Sequence, residues 1–329
     1  MFGPFVHSID PVIFSVGGVH VWWYGLSFTL GFLNAHLFLR RNRDRVGLSP
    51  SAVYDLTLLL AAGVLVSGRA LVVINNEWEF YRDHLLLIPS IWVGGFASHG
   101  LIFGGAVGVA IFCVIYNAPF RRLLDVLAIS AAIILGFGRI GNFIDGQIFG
   151  SLTELPWGVE FPNVDGFRHP VVLYDGIKNF LLVPLLLWIR SRGVPAGRIA
   201  VLFVILYAGL RIPIDMLREY PTSMWGLPNG QMLNILMVVA GLIALGINIY
   251  NARSPREADL KEAAHPGGSL RYRRIALIGI CILPLVIPSD ATRDVPATYG
   301  TRHPGLEHSW MYPNIADALA AAEREKEGK

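Results

Sequence analysis

The sequence predicts an all-α, polytopic membrane protein with seven transmembrane helices, a shorter eighth helix and a small extracytoplasmic loop region. Three observations predict this class. Hydrophobic residues make up 53% of the 329 residues and charged residues only 16%, whereas soluble domains carry nearer a quarter charged residues. Apolar stretches of membrane-spanning length recur along the chain. Arginines cluster in alternate loops between these stretches.

The predicted spans have about 20 residues each, the length that crosses the hydrocarbon core of a bilayer. The last is short and contains Pro284 and Pro288. In chain order the spans cover residues 21–40, 52–75, 96–117, 123–140, 171–190, 198–218, 231–250 and 274–289.

The basic residues predict the orientation, because cytoplasmic loops of membrane proteins are enriched in Lys and Arg. An extracytoplasmic N-terminus puts every arginine cluster on the cytoplasmic side. The clusters lie in residues 40–45, 121–122, 190–198, 253–256 and 271–274. The opposite loops, which we expect outside, are residues 76–95, 141–170 and 219–230.

Charge and cysteine content narrow the classes of function. The net charge is only +3, so we do not expect nucleic acid as a partner. The two cysteines, Cys113 and Cys281, both lie in apolar runs and form neither a disulfide framework nor a metal-ligand spacing. The N-terminus lacks a basic region and a small-residue cleavage site, so we do not expect a removable signal peptide.

Span six carries charges on one helical face. Tyr207, Arg211, Asp215 and Arg218 are spaced i, i+4, i+8 and i+11, which aligns them on a helix. Arginine within a span costs about 2.5–3.5 kcal/mol on insertion scales, so a compensating anion is expected. One interpretation is an internal Arg211–Asp215 pair that satisfies itself. The other is a bound anion, because two arginines face one carboxylate.

A glycine-rich stretch, GFGRIGNFIDGQIFG at residues 136–150, ends span four. Its glycines allow close helix approach and non-helical backbone. Arg139 and Asn142 are three residues apart and can face one cavity, where the guanidinium offers a bidentate fork for a phosphate. The alternative is that Arg139 extends to the membrane surface beside a glycine turn.

Two further residues are candidates. Arg69 lies within span two, and His99 begins span three in the sequence SHGLIFGG. Histidine is the side chain whose ordinary pKa suits proton transfer near neutrality. A lone histidine at the interface is, however, more often structural than catalytic.

The glycine-rich stretch resembles the signature of prolipoprotein diacylglyceryl transferases. Other segments resemble the family's motifs in the same order, over roughly residues 10–250 and with the same topology. They are DPVIFSVGGVHVWWYGLSF with Tyr24, SGRA with Gly68 and Arg69, SHG with His99, RHPVVLYD, and YAGLRIPIDMLRE.

The chain departs from the family pattern at several motif positions and adds residues 251–329 after span seven. The departures are Asp145-Gly146-Gln147 for Asn-Gly-Glu, Leu101 for the second Gly after His99, Val172 for Gln, Asp175 for Glu and Asp215 for Glu.

The resemblance implies transfer of diacylglyceryl from phosphatidylglycerol to the lipobox cysteine of a prolipoprotein in the bacterial inner membrane. It implies His99 as the base and Arg139 and Arg211 as the cations that stabilise the leaving phosphate. The substrate-binding residues expected are Tyr24, Arg69, Asn142, Asp145, Gly150, Tyr207, Asp215 and Arg218. No metal or organic cofactor is expected.

Two alternatives use the same residues. A non-catalytic lipid-binding protein or lipid transporter would need the arginines but no base. A paralogue would keep the lipid donor and use a different acceptor.

The sequence predicts a transferase-like membrane domain over residues 1–250 and a C-terminal extension over residues 251–329. The run 274–289 is expected to carry the tail to the extracytoplasmic side. Residues 290–312 contain His303, His308 and several aromatic residues. We expect them to fold over the outer mouth of the site as a lid or an acceptor-docking surface. The alternative is a flexible tail without a role.

Overall fold

The computed structural model describes residues 5–75, 77–162, 164–218, 229–252, 269–289 and 294–314, together with residues 320 and 324. The side chains of residues 75, 98, 99, 229, 251 and 252 also lie outside the description. The helices are α1 Trp23–Val46, α2 Pro50–Asn75, α3 Trp78–Tyr81, α4 Ser98–Tyr116, α5 Phe120–Asp145, α6 Val171–Ser191, α7 Arg198–Asp215, α8 Asn229–Ala252, α9 Leu270–Ile282 and α10 Val295–Tyr299.

Each predicted span overlaps one helix, although span eight is helical in α9 only to Ile282, and the structure is mostly helical. Within the described part of the chain, four helices are long and apolar enough to cross a membrane by length and composition. They are Pro50–Ile74, Phe120–Asp145, Val171–Ser191 and Gly230–Tyr250. A fifth apolar helix, Gly100–Tyr116, is shorter.

Two small sheets accompany the helices, so the prediction of an all-α chain missed this part. The strands are β1 Phe5–Val6, β2 Val12–Val16, β3 Val19–Trp22, β4 Val159–Glu160 and β5 Phe167–Arg168. β2 and β3 form a hairpin, whose turn residues Gly17 and Gly18 have φ of 57° and 81°. β1 pairs parallel to β4, which pairs antiparallel to β5. Strands this short carry little periodic signal in sequence.

Glycines allow a close backbone contact between α2 and α4. A Cβ added at Gly104 would overlap the carbonyl oxygen of Gly63, and one at Gly108 would lie 2.5 Å from the carbonyl oxygen of Leu59. Small residues of this kind let membrane helices approach backbone to backbone. Elsewhere α1 packs on α5, α5 on α6 and α7, and α7 on α8.

Four of the five predicted arginine clusters lie at one end of the bundle, here called the arginine-rich end, and the fifth, residues 253–256, lies outside the described residues. Arg190 at the end of α6 donates to Asn42 of α1 at 3.1 Å. Arg198 at the start of α7 donates to Asn248 of α8 at 2.6 Å. The opposite end, called the site end, carries the strands and the last turn of α5. A 26-residue helix such as α5 connects the two over about 39 Å.

The C-terminal segment extends from one end of the bundle to the other. Near the start of α9, Arg273 pairs with Asp55 of α2 at 2.7 Å. A 3-10 turn, Leu283–Val286, follows α9 and packs so closely on α1 that a Cβ at Gly25 would overlap the carbonyl oxygen of Pro284. α10 and the residues after it then pack on the β2–β3 hairpin. The buried side chains of this contact are Val12, Trp22, Val295, Tyr299, Leu306, Met311 and Tyr312.

Candidate functional site

The glycine-rich stretch remains helical to Asp145, five residues beyond the end predicted for span four. The expectation of non-helical backbone holds only from Gly146 onward, where Gly146 ends the helix with φ of 75°. Close packing accounts for the difference, because a Cβ at Gly141 would lie 3.1 Å from the Cα of Tyr24. The glycines bring α5 against α1, and the helix carries Arg139, Asn142 and Asp145 as buried residues.

Asp175 of α6 lies between the two arginines that the sequence singles out. Its Oδ2 accepts from Arg139 Nε at 2.6 Å and from Arg211 Nη1 at 2.6 Å. The Asp175 side chain is 4% exposed, so bulk water screens these contacts little. Two guanidinium groups therefore converge on one oxygen position.

The polar contacts continue on both sides of this carboxylate. On α5, Arg139 Nη1 donates to Asn142 Oδ1 at 2.9 Å, and Asn142 Nδ2 donates to Ser289 Oγ at 3.0 Å. The predicted spacing of three residues thus brings Arg139 and Asn142 together. The contacts join α5 to the C-terminal segment.

On α7, Arg211 Nε donates to Asp215 Oδ2 at 3.3 Å, and Asn234 of α8 donates to the same oxygen at 2.8 Å. The predicted pairing of Arg211 with Asp215 is present in the structure. Asp215 is not the sole charged partner of Arg211 among the described residues, because Arg211 also binds Asp175.

Lys178 is a fourth cation that the sequence analysis missed. Its Nζ lies 2.7 Å from Asp175 Oδ1, donates to the carbonyl oxygen of Tyr207 at 3.1 Å, and stands 4.1 Å from the centre of the Tyr207 ring. The sequence did contain a signal for Lys178, because Asp175 and Lys178 are two charged residues three positions apart inside predicted span five. This contact also brings Tyr207 to the site.

Arg218 lies beyond the end of α7 rather than on its face. The helix ends at Asp215, and the chain turns back so that Arg218 Nη1 lies 3.9 Å from Asp215 Oδ1. Arg218 forms an isolated antiparallel bridge with Gly150. A Cβ at Gly150 would lie 2.7 Å from the carbonyl oxygen of Leu217, so glycine is needed for the chain that carries Arg218 to approach.

These residues form what we call the arginine–aspartate cluster. Its charged members are Arg139, Asp175, Lys178, Arg211, Asp215 and Arg218. Four cations face two carboxylates, which leaves an excess of two positive charges among these six side chains. A small cleft, with a cavity volume of about 10 Å³, is lined by five of them together with Val171, Val172 and Ile214. Such a site favours an anion with several oxygen atoms.

Asp145 lies one turn beyond Asn142, and it interacts with Arg302 of the C-terminal segment. Burial lowers the pKa of Arg302, and the charge of the nearby Asp145 opposes this shift. His7 lies beside the same turn, where its Nε2 donates to the carbonyl oxygen of Phe143 at 2.7 Å. Burial lowers the pKa of His7, and Arg302 lowers it further. The end of α5 therefore meets the C-terminal segment through Asp145 and Arg302, and the N-terminal residues through Phe143 and His7.

The structure does not bring Arg69 into the cluster. Its guanidinium donates to the carbonyl oxygens of Ile88 at 2.8 Å, Leu87 at 2.9 Å and Gly94, and to the hydroxyl of Tyr81 at 2.9 Å. These contacts fold the loop between α3 and α4. The substrate-binding role expected for Arg69 stays a prediction.

Tyr24 and His99 complete the predicted set. Tyr24 lies in the first turn of α1, against Gly141 of α5 and in edge contact with Phe28 at 5.3 Å. His99 lies in the first turn of α4, and its side chain is outside the described residues. Its role as a base stays a prediction.

Comparison with known proteins agrees with the resemblance. A family profile described as "Prolipoprotein diacylglyceryl transferase" matches residues 11–247. Three proteins named phosphatidylglycerol–prolipoprotein diacylglyceryl transferase are similar to the chain. The Chromohalobacter salexigens protein is 33% identical over 78% of this chain and 98% of its own length. The Geobacter sulfurreducens protein is 34% identical over 71% and 93%. The Nitrosomonas europaea protein is 34% identical over 72% and 89%.

Proposed function

The chain belongs to the prolipoprotein diacylglyceryl transferase family, and we propose that the arginine–aspartate cluster is where it transfers a diacylglyceryl group from phosphatidylglycerol to a prolipoprotein. The observation that carries this proposal is the convergence of Arg139 and Arg211 on one oxygen at 2.6 Å each. A phosphate oxygen presents the same geometry and charge to the two guanidinium groups as this carboxylate oxygen does.

The excess positive charge favours the lipid phosphate over a neutral headgroup. In a site of low dielectric constant, an unbalanced cation is costly unless an anion neutralises it. Phosphatidylglycerol supplies one negative charge and two free phosphate oxygens. Arg139 and Arg211 bind these oxygens, while Lys178 and Asp215 hold Asp175 and Arg211 in place.

The same cations then stabilise the leaving group. The acceptor cysteine loses its thiol proton, and the thiolate attacks the glyceryl carbon that is bonded to the phosphate oxygen. A C–S bond forms, the C–O bond breaks, and the electron pair leaves on glycerol phosphate. Negative charge grows on phosphate along this path, so preorganised guanidinium groups bind the transition state more tightly than the substrate.

His99 is the base that we propose for the thiol proton, since a free cysteine with a pKa of about 8.5 is mostly protonated at neutral pH. Asn142 and Tyr24 orient the phosphate or the glyceryl group beside Arg139. Asp145, Gly150 and Arg218 form the wall of the site towards the loops. The acceptor is a lipobox cysteine of a prolipoprotein.

We propose eight crossings of a bacterial inner membrane, with the N-terminus and the site end extracytoplasmic. The crossing helices are α1, α2, α4, α5, α6, α7, α8 and α9. The gathering of arginines at the opposite end supports this orientation. For α9, which has only 13 residues, the support is that the segment joins Asp55 near the arginine-rich end to Asn142 at the site end. Residues 1–250 are then the transferase domain and residues 251–329 its extension.

The experiment is transfer in a purified system. Full-length protein in detergent is incubated with glycerol-labelled phosphatidylglycerol and a peptide that carries one lipobox cysteine. We expect a thioether-linked diacylglyceryl peptide and one glycerol phosphate released for each peptide modified. A matched peptide with serine in place of the cysteine is the control. Lipid that stays intact with the cysteine peptide would favour the non-catalytic alternative. Lipid consumed without peptide modification would indicate a different acceptor.

A further inference from the structure

The C-terminal segment lies beyond the residues that match the family profile, which ends at residue 247, yet it touches the site. Ser289 is fully buried, with 0% exposure, and its Oγ accepts the hydrogen bond from Asn142 Nδ2 at 3.0 Å. Asn142 is itself 5% exposed. The contact therefore lies inside the protein rather than on its surface.

Contacts on both sides of Ser289 hold the segment in place. Before it, Thr29 of α1 donates to the carbonyl oxygen of Cys281 at 2.5 Å. After it, His303 lies 2.8 Å from Asp10, and Arg302 donates to the carbonyl oxygen of Ile9 at 3.4 Å. The Ser289 hydroxyl is thus held at a fixed position relative to α5.

The chemistry of Asn142 fixes which way its amide points. A guanidinium carries only donors, so only the Oδ1 of Asn142 can accept from Arg139. The Nδ2 must then point the other way, where Ser289 supplies an acceptor. Without this acceptor the amide would be free to rotate, and the buried NH₂ group would lack this hydrogen bond.

We propose that Ser289 is a positioning residue that the C-terminal segment contributes to the lipid-phosphate site. By holding the amide of Asn142, it keeps Oδ1 on Arg139 Nη1 and so fixes the plane of the guanidinium, whose Nε is on Asp175. Ser289 acts through Asn142 and Arg139 and does not itself touch the reacting atoms. This inference rests on the proposed function of the arginine–aspartate cluster.

The test compares steady-state kinetics of Ser289→Ala, Asn142→Ala and the double variant, all in the full-length protein. Loss of one buried hydrogen bond changes binding by about three- to tenfold. We expect Ser289→Ala to raise KM for phosphatidylglycerol by this factor and to leave KM for the lipobox peptide unchanged. In the double variant, the loss should be no larger than in Asn142→Ala alone, because Ser289 acts through Asn142.

Thr298→Ala is the matched control. It removes a hydroxyl from the same segment, but one that bonds to the carbonyl oxygen of Asp294 within the segment, at 3.0 Å, and it should leave both KM values unchanged. An unchanged KM for phosphatidylglycerol in Ser289→Ala, or independent losses that multiply in the double variant, would overturn the inference. If the wild-type protein makes no thioether product, the proposed function fails; if the wild type is active and Ser289→Ala matches it, only this inference fails.

Discussion

The protein buries arginines in two places that differ in what surrounds them. Arg69 is 5% exposed, Arg139 8% and Arg211 9%, so burial does not distinguish the two sites. Arg69 donates to backbone carbonyl oxygens and to the hydroxyl of Tyr81. Arg139 and Arg211 instead share one carboxylate oxygen of Asp175.

From this difference in partners we infer different roles for the two kinds of buried arginine. At Arg69 the partners are neutral and numerous, and they order the loop between α3 and α4. In the arginine–aspartate cluster, four cations share two carboxylates, so an incoming phosphate improves the charge balance. What identifies a site for an anion is therefore the ratio of charges rather than the presence of a buried arginine.

The largest effect is expected from Arg139→Ala and Arg211→Ala. Removal of one preorganised cation at a developing charge costs about 10²- to 10³-fold in turnover. Asp175 keeps Lys178 and one arginine as partners in either variant, so the fold should persist. Turnover and thermal unfolding are measured on the same preparation. Near-normal turnover in either variant would remove that arginine from the catalytic site.

Arg69→Met should lower stability and largely keep turnover, whereas the variants of Arg139 and Arg211 should lose turnover and keep the fold. Methionine fills part of the volume but leaves several buried carbonyl oxygens without a donor, at about 1–3 kcal/mol each. We expect a clear fall in the midpoint of thermal unfolding, with turnover per folded molecule within a few-fold of wild type. A stable variant that has lost turnover would instead support the predicted role of Arg69 as a substrate ligand.

Arg211→Lys tests whether the cluster needs the planar guanidinium of Arg211 or only its positive charge. Lysine keeps the charge but cannot reach Asp175 and Asp215 through one planar fork, as Arg211 does. We expect turnover between that of wild type and Arg211→Ala, about tenfold below wild type. Full activity would mean that Arg211 acts as a point charge only.

The smallest effect is expected at the N-terminal strands and the C-terminal segment, where the protonation of His7 makes stability depend on pH. Burial lowers the pKa of His7, which faces Arg302 and the aromatic rings of Phe143 and Phe161. The unfolded chain therefore binds more protons below about pH 6.5, and stability falls as pH drops through that value.

Hydrogen exchange of residues 294–314 at pH 7.5 and 5.5 measures this effect. Exchange should be faster at the lower pH after correction for the intrinsic rate. The acid-dependent increase should shrink in His7→Gln. Equal acid sensitivity in that variant would assign the effect to another group.

The positions of the long helices were predictable because each is an apolar run bounded by polar residues. α6, for example, was predicted at residues 171–190 and is observed at Val171–Ser191. The small sheets were not, because β1, β4 and β5 have two residues each. Pairing of β1 with β4 joins residues more than 150 positions apart, and no local pattern reports such a contact.

The candidate site was predictable in part. Spacing on one helix brought Arg139 to Asn142 and Arg211 to Asp215, because residues three or four apart share a face. It could not show that Asp175 joins the two arginines, since this depends on how α5, α6 and α7 pack. Nor could it place Ser289, which reaches Asn142 from 147 residues away.

The structure describes most of the segment, residues 290–312, that we expect to act as a lid. Residues 294–314 pack on the β2–β3 hairpin, next to the loop end of α5, where Arg302 lies near Asp145. Residues 290–293 and most of residues 315–329 lie outside the described part of the chain. A role of this segment as a lid or acceptor-docking surface stays a prediction.

The most direct test of an anion site in the arginine–aspartate cluster is the lipid preference of the purified protein. Binding of phosphatidylglycerol and of uncharged diacylglycerol with the same acyl chains is measured for wild type, for the double variant Arg139→Ala/Arg211→Ala and for Arg69→Met. We expect wild type and Arg69→Met to prefer phosphatidylglycerol, and the double variant to lose that preference while it remains folded. The same preference in the folded double variant would contradict the account.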